Sequence, residues 1–277
     1  MLAAQTPVPL PDRGRAADRI FHELKRQIVS GELPRGSRLP TERELAEMFG
    51  VSAPTVREAI RGLTVIGFVQ VRHGSGAVVS ASGESLVAMS LGAVIQLKSA
   101  EASHALELLT VLNEYAATSA VVHATSGDLR RLRDAAESLG DVSGVQQAVA
   151  GVRAFHHALV HASHNPLLGV ICDFLSDVQV EIAREVAEDS LVAWKAIIDE
   201  LQPARMRFLQ AVERRDARAA SLRAREFHAE AIRSITSLPK AQEVRLSDPR
   251  LKAMLSSVVE RMGRGAAASG SPEGAGR

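Results

Sequence analysis

The chain has 277 residues, a length that suits one large domain or two ordinary ones. Hydrophobic residues make up 46% and charged residues 23%, which is typical of a globular protein and excludes a disordered one. Its one cysteine, Cys172, excludes an internal disulfide and a four-cysteine zinc site. With only 3% aromatic residues, the core must consist mainly of Ala, Leu, Val and Ile, which favours packed helices over a β-sandwich.

The net charge of +1 is unevenly distributed. Residues 1–82 carry 11 Lys/Arg and 8 Asp/Glu, a balance of +3, whereas residues 83–277 carry 22 and 24, a balance of −2. A mildly basic first third is compatible with nucleic-acid binding, and ordinary scatter of charge explains it equally well. Neither a membrane span nor a signal peptide is visible, so we expect a cytoplasmic protein with no membrane partner.

Three helices are predicted in the first 66 residues. The first covers 15–30, because apolar residues recur on one of its faces: Ile20, Leu24 and Ile28. A turn follows over 31–40. Thr41 and Glu44 then form a capping-box pattern that opens a short second helix ending at Phe49. Ser52 is a suitable N-cap for a third helix over 53–66.

A β-hairpin is predicted directly after the third helix. Val69 and Val71 alternate with polar residues, the HGSG segment makes a tight turn, and residues 77–80 return as a second strand. A phosphate-binding loop is the alternative for HGSG, but such a loop opens a helix and this one leads into a strand. Three helices and a hairpin in this order predict a winged helix-turn-helix, whose third helix enters a DNA major groove.

The run LPTERELAEMFGVSAPTVREAIRGLTVIGFVQVRHGSGAVV resembles the DNA-binding domain of the GntR family of bacterial transcription regulators. The resemblance covers about Arg15–Val79 and implies that double-stranded DNA is contacted by Arg43, Ser52, Thr55, Arg57, His73 and Gly74. An arginine offers bidentate bonds to phosphate or guanine, and a helix N-terminus suits phosphate. The family commonly has Arg where this chain has Ala53, so we expect an altered operator sequence.

The remainder of the chain is predicted to be helical, because proline is absent from 55–165 and glycine from 170–262. The predicted helices cover 84–98, 101–125, 127–140, 144–164, 166–188, 199–214 and 217–237. Asn165 and Asp216 serve as N-caps, and Pro203 lies in a first turn or makes a kink. Asp248-Pro249 opens one further helix that ends near Met262.

The predicted fold class is mainly α, with a winged helix-turn-helix followed by an all-α antiparallel helical bundle. The domain organisation that we expect is a flexible arm over 1–12, a DNA-binding domain over 13–82, an effector-binding and dimerisation domain over 83–237, a C-terminal extension helix over 238–262 and a disordered tail over 263–277.

The helical part resembles the FCD ligand-binding domain of FadR-like GntR regulators, through the segments AFHHALVHASHNPLL and FLQAVERRDARAA and the distal His228. Many FCD domains bind a divalent metal through one Asp and three His. The corresponding positions here are Val152, His156, Arg205 and His228. Because valine has no ligand atom and arginine is cationic, we expect no metal there and no cofactor.

An effector pocket is predicted where the resemblance implies the metal site. Its expected residues are His156, Arg205, His228, Leu109 and Val152. A fixed guanidinium suits a carboxylate or phosphate, and the apolar positions favour an acidic or acyl-type effector. The alternative is that Arg205 pairs with a neighbouring carboxylate and that both histidines are satisfied core residues.

Three further features stay open at this point. His157, His161 and His164 follow helical spacing on a face distinct from that of His156. They bind a metal or form a solvated polar face, and the solvated face is the preferred interpretation. Cys172 is expected to be a buried small residue. Trp194 is placed in a loop or short helix before residue 199, from which it would gate the pocket.

The sequence therefore predicts a transcription regulator that binds a palindromic operator as a homodimer and responds to a small effector. A repressor is the favoured type of regulator. A regulator whose helical domain only dimerises is the second hypothesis. A metallohydrolase built from the histidines is the third, and it is disfavoured because it needs a carboxylate beside the His ligands where the chain has Val152.

Overall fold

The structure is a computed structural model that describes residues 12–72, 76–98, 101–238, 240–241 and 258. Its elements in chain order are α1 (Asp12–Ser30), α2 (Glu42–Phe49), α3 (Ala53–Val65), β1 (Val69–Arg72), β2 (Gly76–Val79), α4 (Gly83–Leu97), α5 (Ala102–His123), α6 (Ser126–Ser138), α7 (Val145–His161), α8 (Pro166–Ala187), α9 (Leu191–Glu213) and α10 (Ala217–Thr236). The predicted mainly helical fold class is thereby confirmed.

The chain forms two compact units, and the boundary between them falls between Leu86 and Val87, inside α4. The first contains α1–α3 and the hairpin, and the second contains the helices from α5 to α10 with most of α4. The predicted arm as far as residue 11, the predicted tail and nearly all of the predicted extension helix lie outside the described residues. None of the described helices has both the length and the apolar character that crossing a membrane requires.

The first unit has the predicted winged helix-turn-helix, and local signals set its helix ends. Thr41 Oγ1 accepts a hydrogen bond from Glu44 N (3.2 Å) while Thr41 N donates to Glu44 Oε2 (2.7 Å), so the capping box is formed. Gly50 ends α2 in the left-handed region with φ 65°. The core of this unit includes the predicted face of α1 together with residues of α2, α3 and the strands: Ile20, Leu24, Ile28, Leu45, Val56, Ile60, Leu63, Val69 and Val79.

The hairpin strands pair antiparallel, with Val69 opposite Val79 and Arg72 opposite Gly76. A third extended segment lies against the other edge of β2, where Leu39 N donates to Ala77 O and Val79 N donates to Ser37 O. The sequence predicted only a turn over 31–40, so this pairing is a correction. Its physical basis is that the segment satisfies backbone groups at the edge of β2 that the hairpin partner leaves unpaired.

The second unit is a helical bundle in which α10 packs against α5 and α9, and α7 packs against α6 and α8. Asn165 caps α8 by accepting from Leu168 N (3.1 Å), and Asp216 caps α10 by accepting from Ala219 N (2.9 Å), as predicted. The core is largely aliphatic. The large aromatic side chains buried in it are Phe155, Phe174, Trp194, Phe208 and Phe227.

Helix α9 differs from its prediction, because it begins at Leu191 rather than near residue 199 and contains Pro203 in its interior. Ser190 Oγ caps it by accepting from Ala193 N (3.3 Å). Buried residues continue at helical spacing before the proline: Trp194, Ile197, Ile198 and Leu201. Tertiary packing of this face therefore outweighs the missing backbone donor of Pro203. Trp194 lies in the first turn of α9 and not in a loop.

One arginine from the α9–α10 connection caps the C-terminus of another helix. Arg215 adopts the left-handed region with φ 58°. Its guanidinium donates to the carbonyl oxygens of Val121 (2.8 Å) and Ala124 (2.5 Å) at the end of α5. Since the last carbonyls of a helix have no partners inside it and carry partial negative charge, a cation there stabilises α5 and ties it to the turn before α10.

We expect Arg215→Ala to lower the free energy of unfolding by about 2 kcal/mol, because it removes charge-assisted hydrogen bonds to backbone carbonyls. Arg214→Ala removes a neighbouring exposed guanidinium for which the structure shows no such bonds, and it should change the stability by less than about 0.5 kcal/mol. Urea unfolding measures both variants. Equal destabilisation of the two would contradict the capping role.

Candidate functional site

The two predicted DNA-contacting arginines lie at the surface of the helix-turn-helix. The Arg43 side chain is 89% exposed, and its Nε is 3.2 Å from Glu47 Oε1 on the next turn of α2. The Arg57 side chain on α3 is 65% exposed and binds Glu42 through two nitrogens, with Nη2 at 2.7 Å from Oε2. The hydrogen bonds that Arg57 donates to the Glu42 carboxylate raise the pKa of the guanidinium above its usual value. Both arginines are available to an incoming phosphate or base edge.

The start of α3 is arranged differently from its prediction. Ser52 is the N-cap residue, but its side chain does not cap a backbone N–H and instead lies 2.9 Å from Thr55 Oγ1. Thr55 is only 5% exposed, so its side chain contacts Ser52 and does not face solvent. The other two predicted contacts, His73 and Gly74, lie outside the described residues.

A cavity of about 40 Å³ lies among α7, α8, α9 and α10. That volume has room for about three water molecules, or for the polar end of a small ligand. Its wall is mainly aliphatic and aromatic, and the polar side chains that line it are His156, Gln179, Trp194 and Arg205. An apolar cavity with a few converging polar groups is the usual form of a small-molecule site.

The structure brings together most of the predicted effector residues, but not all of them. Val152, His156 and Arg205 line the cavity. His228 stacks behind His156, with ring centroids 5.7 Å apart, and is not among the lining residues. Leu109 is buried in the core of the same unit and does not line the cavity either.

Sequence reasoning missed Gln179 as a lining residue and placed Trp194 in a loop or short helix before residue 199, whereas α9 already begins at Leu191. Gln179 follows the helical pattern of α8 without any distinguishing motif, so the sequence held no signal that could have found it. Trp194 is 2% exposed and lines the cavity from the first turn of α9, so it forms part of the wall.

Arg205 carries a positive charge into the core of the second unit. It is 2% exposed, and its guanidinium carbon lies 5.7 Å from the ring centroids of both Phe155 and Phe227. Nη1 donates to the neutral amide oxygen of Gln202. No carboxylate within the described part of the chain forms an ion pair with it. Burial lowers the pKa of Arg205 to about 10, so the group is still charged at neutral pH.

The two buried histidines are neutral at physiological pH. Burial, with a smaller contribution from the charge of Arg205, lowers the pKa of His156 to about 4. Burial, with a smaller contribution from His156, lowers the pKa of His228 to about 3. A second cation beside Arg205 would be costly in this low-dielectric core, so each ring is a neutral hydrogen-bonding group.

Several polar atoms around the cavity have no hydrogen-bond partner among the described residues. They are His156 Nδ1, Gln179 Oε1, Trp194 Nε1 and Arg205 Nε. A buried polar group without a partner costs roughly 1–3 kcal/mol, and protein folds rarely leave four of them around one cavity. Such an arrangement suits water or a polar ligand that satisfies these groups.

The residues at the positions that the FCD resemblance links to a metal do not fit a metal ion. Val152 has no ligand atom, and the guanidinium of Arg205 brings a positive charge against the lining His156. The remaining histidines supply two nitrogen ligands and no carboxylate. The polar groups of the cavity wall are one guanidinium and neutral side chains, which repel a cation and can donate hydrogen bonds to an anion.

The outer face of α7 also differs from its prediction, because the structure separates the three histidines. His164 lies beyond the end of α7 with φ 53°, and its Nε2 is 2.9 Å from Asp128 Oδ2 at the N-terminus of α6. His157 and His161 remain together and face Asp173 on α8. The helix ends at His161, so the predicted common face does not reach residue 164. Cys172 is buried, as predicted.

Comparisons with known proteins agree with these two units. The model of the bacterial regulatory proteins of the gntR family matches residues 16–79, and the FCD domain model matches residues 104–230. The chain is 30% identical over 188 residues to the HTH-type transcriptional regulator LutR of Bacillus subtilis. The aligned residues make up 67% of this chain and 85% of that protein.

Two further relatives extend this likeness. The HTH-type transcriptional repressor NanR of Klebsiella aerogenes is 28% identical over 183 residues, or 65% of this chain and 70% of that protein. Among solved structures, a GntR protein of Streptococcus agalactiae superposes with a TM-score of 0.57 at 22% identity, over 80% of this chain and 99% of that one. This structural likeness supports the fold.

The winged helix-turn-helix lies where the gntR family model matches, and the helical unit with the cavity lies where the FCD model matches. The likeness to LutR agrees with both matches. The chain belongs to the GntR family of bacterial regulatory proteins, as a DNA-binding transcription regulator with an FCD domain.

Proposed function

We propose that this regulator binds a palindromic operator as a homodimer and that a small carboxylate bound in the cavity of the second unit controls its affinity for DNA. The observation that carries the proposal is Arg205, a guanidinium that is 2% exposed and lies beside a cavity without an acidic partner among the described residues. A buried unpaired charge costs several kcal/mol, and a bound anion offsets that cost.

The cavity favours a short acid. The carboxylate would accept from Arg205, and the neutral His156 and Trp194 Nε1 offer further polar contacts around it. The apolar remainder of the ligand would pack against Val152 and Phe155. Since the volume is about 40 Å³, a longer acyl chain requires side chains to move. We expect no metal ion in this cavity.

A homodimer is supported by an apolar stripe on α5. Its members are 50–71% exposed and follow the 3–4–7 spacing of a helix–helix seam: Leu108, Val111, Tyr115 and Val122. Exposed apolar residues aligned on one face mark a protein contact surface. A second copy of the chain is the expected occupant, because one recognition helix reads few bases and a two-fold axis pairs two of them on a palindrome.

Control by an effector follows if the ligand binds one arrangement of the dimer better than another. An anion at Arg205 contacts side chains from α9 and orders their neighbours on α7 and α10, so it favours one packing of this unit. The dimer would then hold its two recognition helices at a spacing that fits the operator or misses it. We propose repression of transcription as the output, in line with the repressor name of the NanR relative.

We expect Arg43→Ala and Arg57→Ala to weaken binding to DNA about 10- to 100-fold, the range for loss of one specific arginine contact. The target is a duplex selected from random sequence by the wild-type protein, and fluorescence anisotropy measures the affinity. Glu42→Gln releases Arg57 from its ion pair in the free protein and should maintain or strengthen binding.

Arg130→Ala is the matched control for both variants, because it removes an exposed arginine from α6 in the other unit. Its affinity should equal that of the wild type. Wild-type affinity in the Arg43 and Arg57 variants would contradict the proposed interface.

We expect Arg205→Met to have two opposite effects. The ligand-free protein should become more stable by about 1–3 kcal/mol, because a buried unpaired charge is replaced by an apolar side chain. The stabilisation by short carboxylates, about 2.7 kcal/mol at a concentration of 100 times Kd, should disappear. Thermal unfolding with acetate, propionate, butyrate and benzoate measures both effects.

Arg207→Met is the control on the same helix, because the Arg207 side chain is 48% exposed and lies outside the cavity lining. It should keep the wild-type response to acids. A destabilised Arg205→Met protein that still responds to the acids would show that Arg205 has only a structural role.

We expect Val111→Glu to convert the dimer to monomers, because the substitution places like charges opposite each other across a two-fold interface. Val192→Glu is the control, since Val192 is 80% exposed at the start of α9 and lies outside the stripe. Light scattering coupled to size-exclusion chromatography gives the mass. An unchanged dimer in the Val111 variant would place the interface elsewhere.

A further inference from the structure

The seam between α7 and α8 pairs basic with acidic residues at successive turns. Arg153 donates through Nε to Asp177 (2.5 Å) and through Nη2 to Glu181 (2.7 Å). One and two turns further along α7, His157 and His161 take the place of the arginine, and Asp173 faces them from α8. At this end of the seam, His157 and His161 are the basic residues of α7, as Arg153 is at the other end. Asp173 is their acidic partner on α8.

The three side chains converge closely. Asp173 Oδ2 is 3.1 Å from His161 Nε2 and 3.9 Å from His157 Nε2, and the two rings stack with centroids 3.9 Å apart. One ligand atom from each residue lies within 4.8 Å of the other two. In a tetrahedral zinc site with bonds of about 2.0–2.1 Å, neighbouring ligand atoms are about 3.3 Å apart. The two rings are tilted by only 18°, so their nitrogen lone pairs do not point at one common atom. Rotation of the exposed His157 and His161 side chains is required to turn both nitrogens toward one ion.

We propose that His157, His161 and Asp173 form a binding site for a divalent late transition-metal ion, in the first place Zn²⁺, with solvent in the remaining position. Two imidazoles and one carboxylate suit Zn²⁺, Ni²⁺ or Cu²⁺, whereas Mg²⁺ and Ca²⁺ prefer sites made wholly of oxygen atoms. The side chains of the histidines are 62% and 50% exposed, so a metal ion reaches them from solvent without any rearrangement of the core.

This site is separate from the buried cavity and does not depend on the proposed effector. His156 and His157 are adjacent on α7, but His156 is 3% exposed and lines the cavity, whereas His157 faces outward. The metal ion would join α7 to α8. Because it binds the folded arrangement and not the separated helices of the unfolded chain, it raises the stability of this unit.

The His161 ring lies against α8. A Cβ atom at Gly169 would lie 3.5 Å from His161 Cε1, an ordinary van der Waals contact, so the ring is beside this turn of α8. Asp173 is one turn further along α8 and has a side chain that is 22% exposed. The Asp173 carboxylate and the His161 ring therefore lie beside each other along α8, and His157 lies on the preceding turn of α7.

Zinc binding to the metal-stripped, full-length protein tests the proposal. Isothermal titration with Zn²⁺ alone should give one equivalent per chain, thermal unfolding should shift upward with Zn²⁺, and Mg²⁺ should have no effect. His157→Gln and His161→Gln should each weaken zinc binding at least about tenfold, because each removes one of three protein ligands. Asp173→Asn should weaken it as well. With Co²⁺ as the probe, the visible absorption of a tetrahedral site should appear in the wild type and be weakened or lost in these three variants.

Two histidine variants serve as matched controls. His123→Gln removes an exposed imidazole at the end of α5, and His164→Gln removes the neighbouring imidazole that contacts Asp128. Both should bind zinc as the wild type does. The proposal is overturned if the wild type does not bind zinc, or if the His157 and His161 variants retain wild-type affinity. Zinc binding that is lost in His228→Gln but kept in His157→Gln would overturn it too, and would assign the ion to the buried histidine pair.

Discussion

The organisation of the helical unit depends on the burial of one positive charge. Arg205 lies between the rings of Phe155 and Phe227 and beside a cavity, with a neutral glutamine amide as its hydrogen-bond acceptor. Burial, with a smaller contribution from this charge, keeps His156 neutral, and burial, with a smaller contribution from His156, lowers the pKa of His228. The amide of Gln202 and the two aromatic rings do not neutralise this charge, and no carboxylate of the described residues pairs with it, which is the basis of the anion site that we propose. The same charge makes the cavity unsuitable for a metal ion.

The DNA-binding unit follows a different principle, because its two predicted DNA-contacting arginines are exposed and its framework is set by local signals. The capping box of Thr41 and Glu44 starts α2, and Gly50 ends it. Arg57 and Glu42 form an ion pair between α3 and α2, which an exposed arginine exchanges for phosphate at little cost, since exposed ion pairs contribute little to stability. Thr55 supports the residue at the helix start from below rather than contacting solvent.

Helix α7 contributes consecutive residues to the buried cavity and to the exposed cluster with Asp173. His156 faces the cavity, and His157 faces Asp173 on α8. A rotation of about 100° per residue separates them, so one imidazole is desolvated and neutral while the next remains open to solvent. Identical residue types in one short segment thereby acquire different chemistry from their burial alone.

The sequence by itself determined the features that depend on neighbours along the chain. Short segments encode the helix caps at Thr41, Asn165 and Asp216 and the position of the hairpin. The GntR and FCD patterns are likewise visible in short runs of sequence. Only the tertiary structure decided the features that depend on distant packing. These include the pairing of residues 36–39 with β2, the start of α9 before Pro203, the lining role of Gln179 and the meeting of His161 with Asp173. Each of them requires two segments to be brought together by burial of apolar surface, and no local pattern specifies which segments meet.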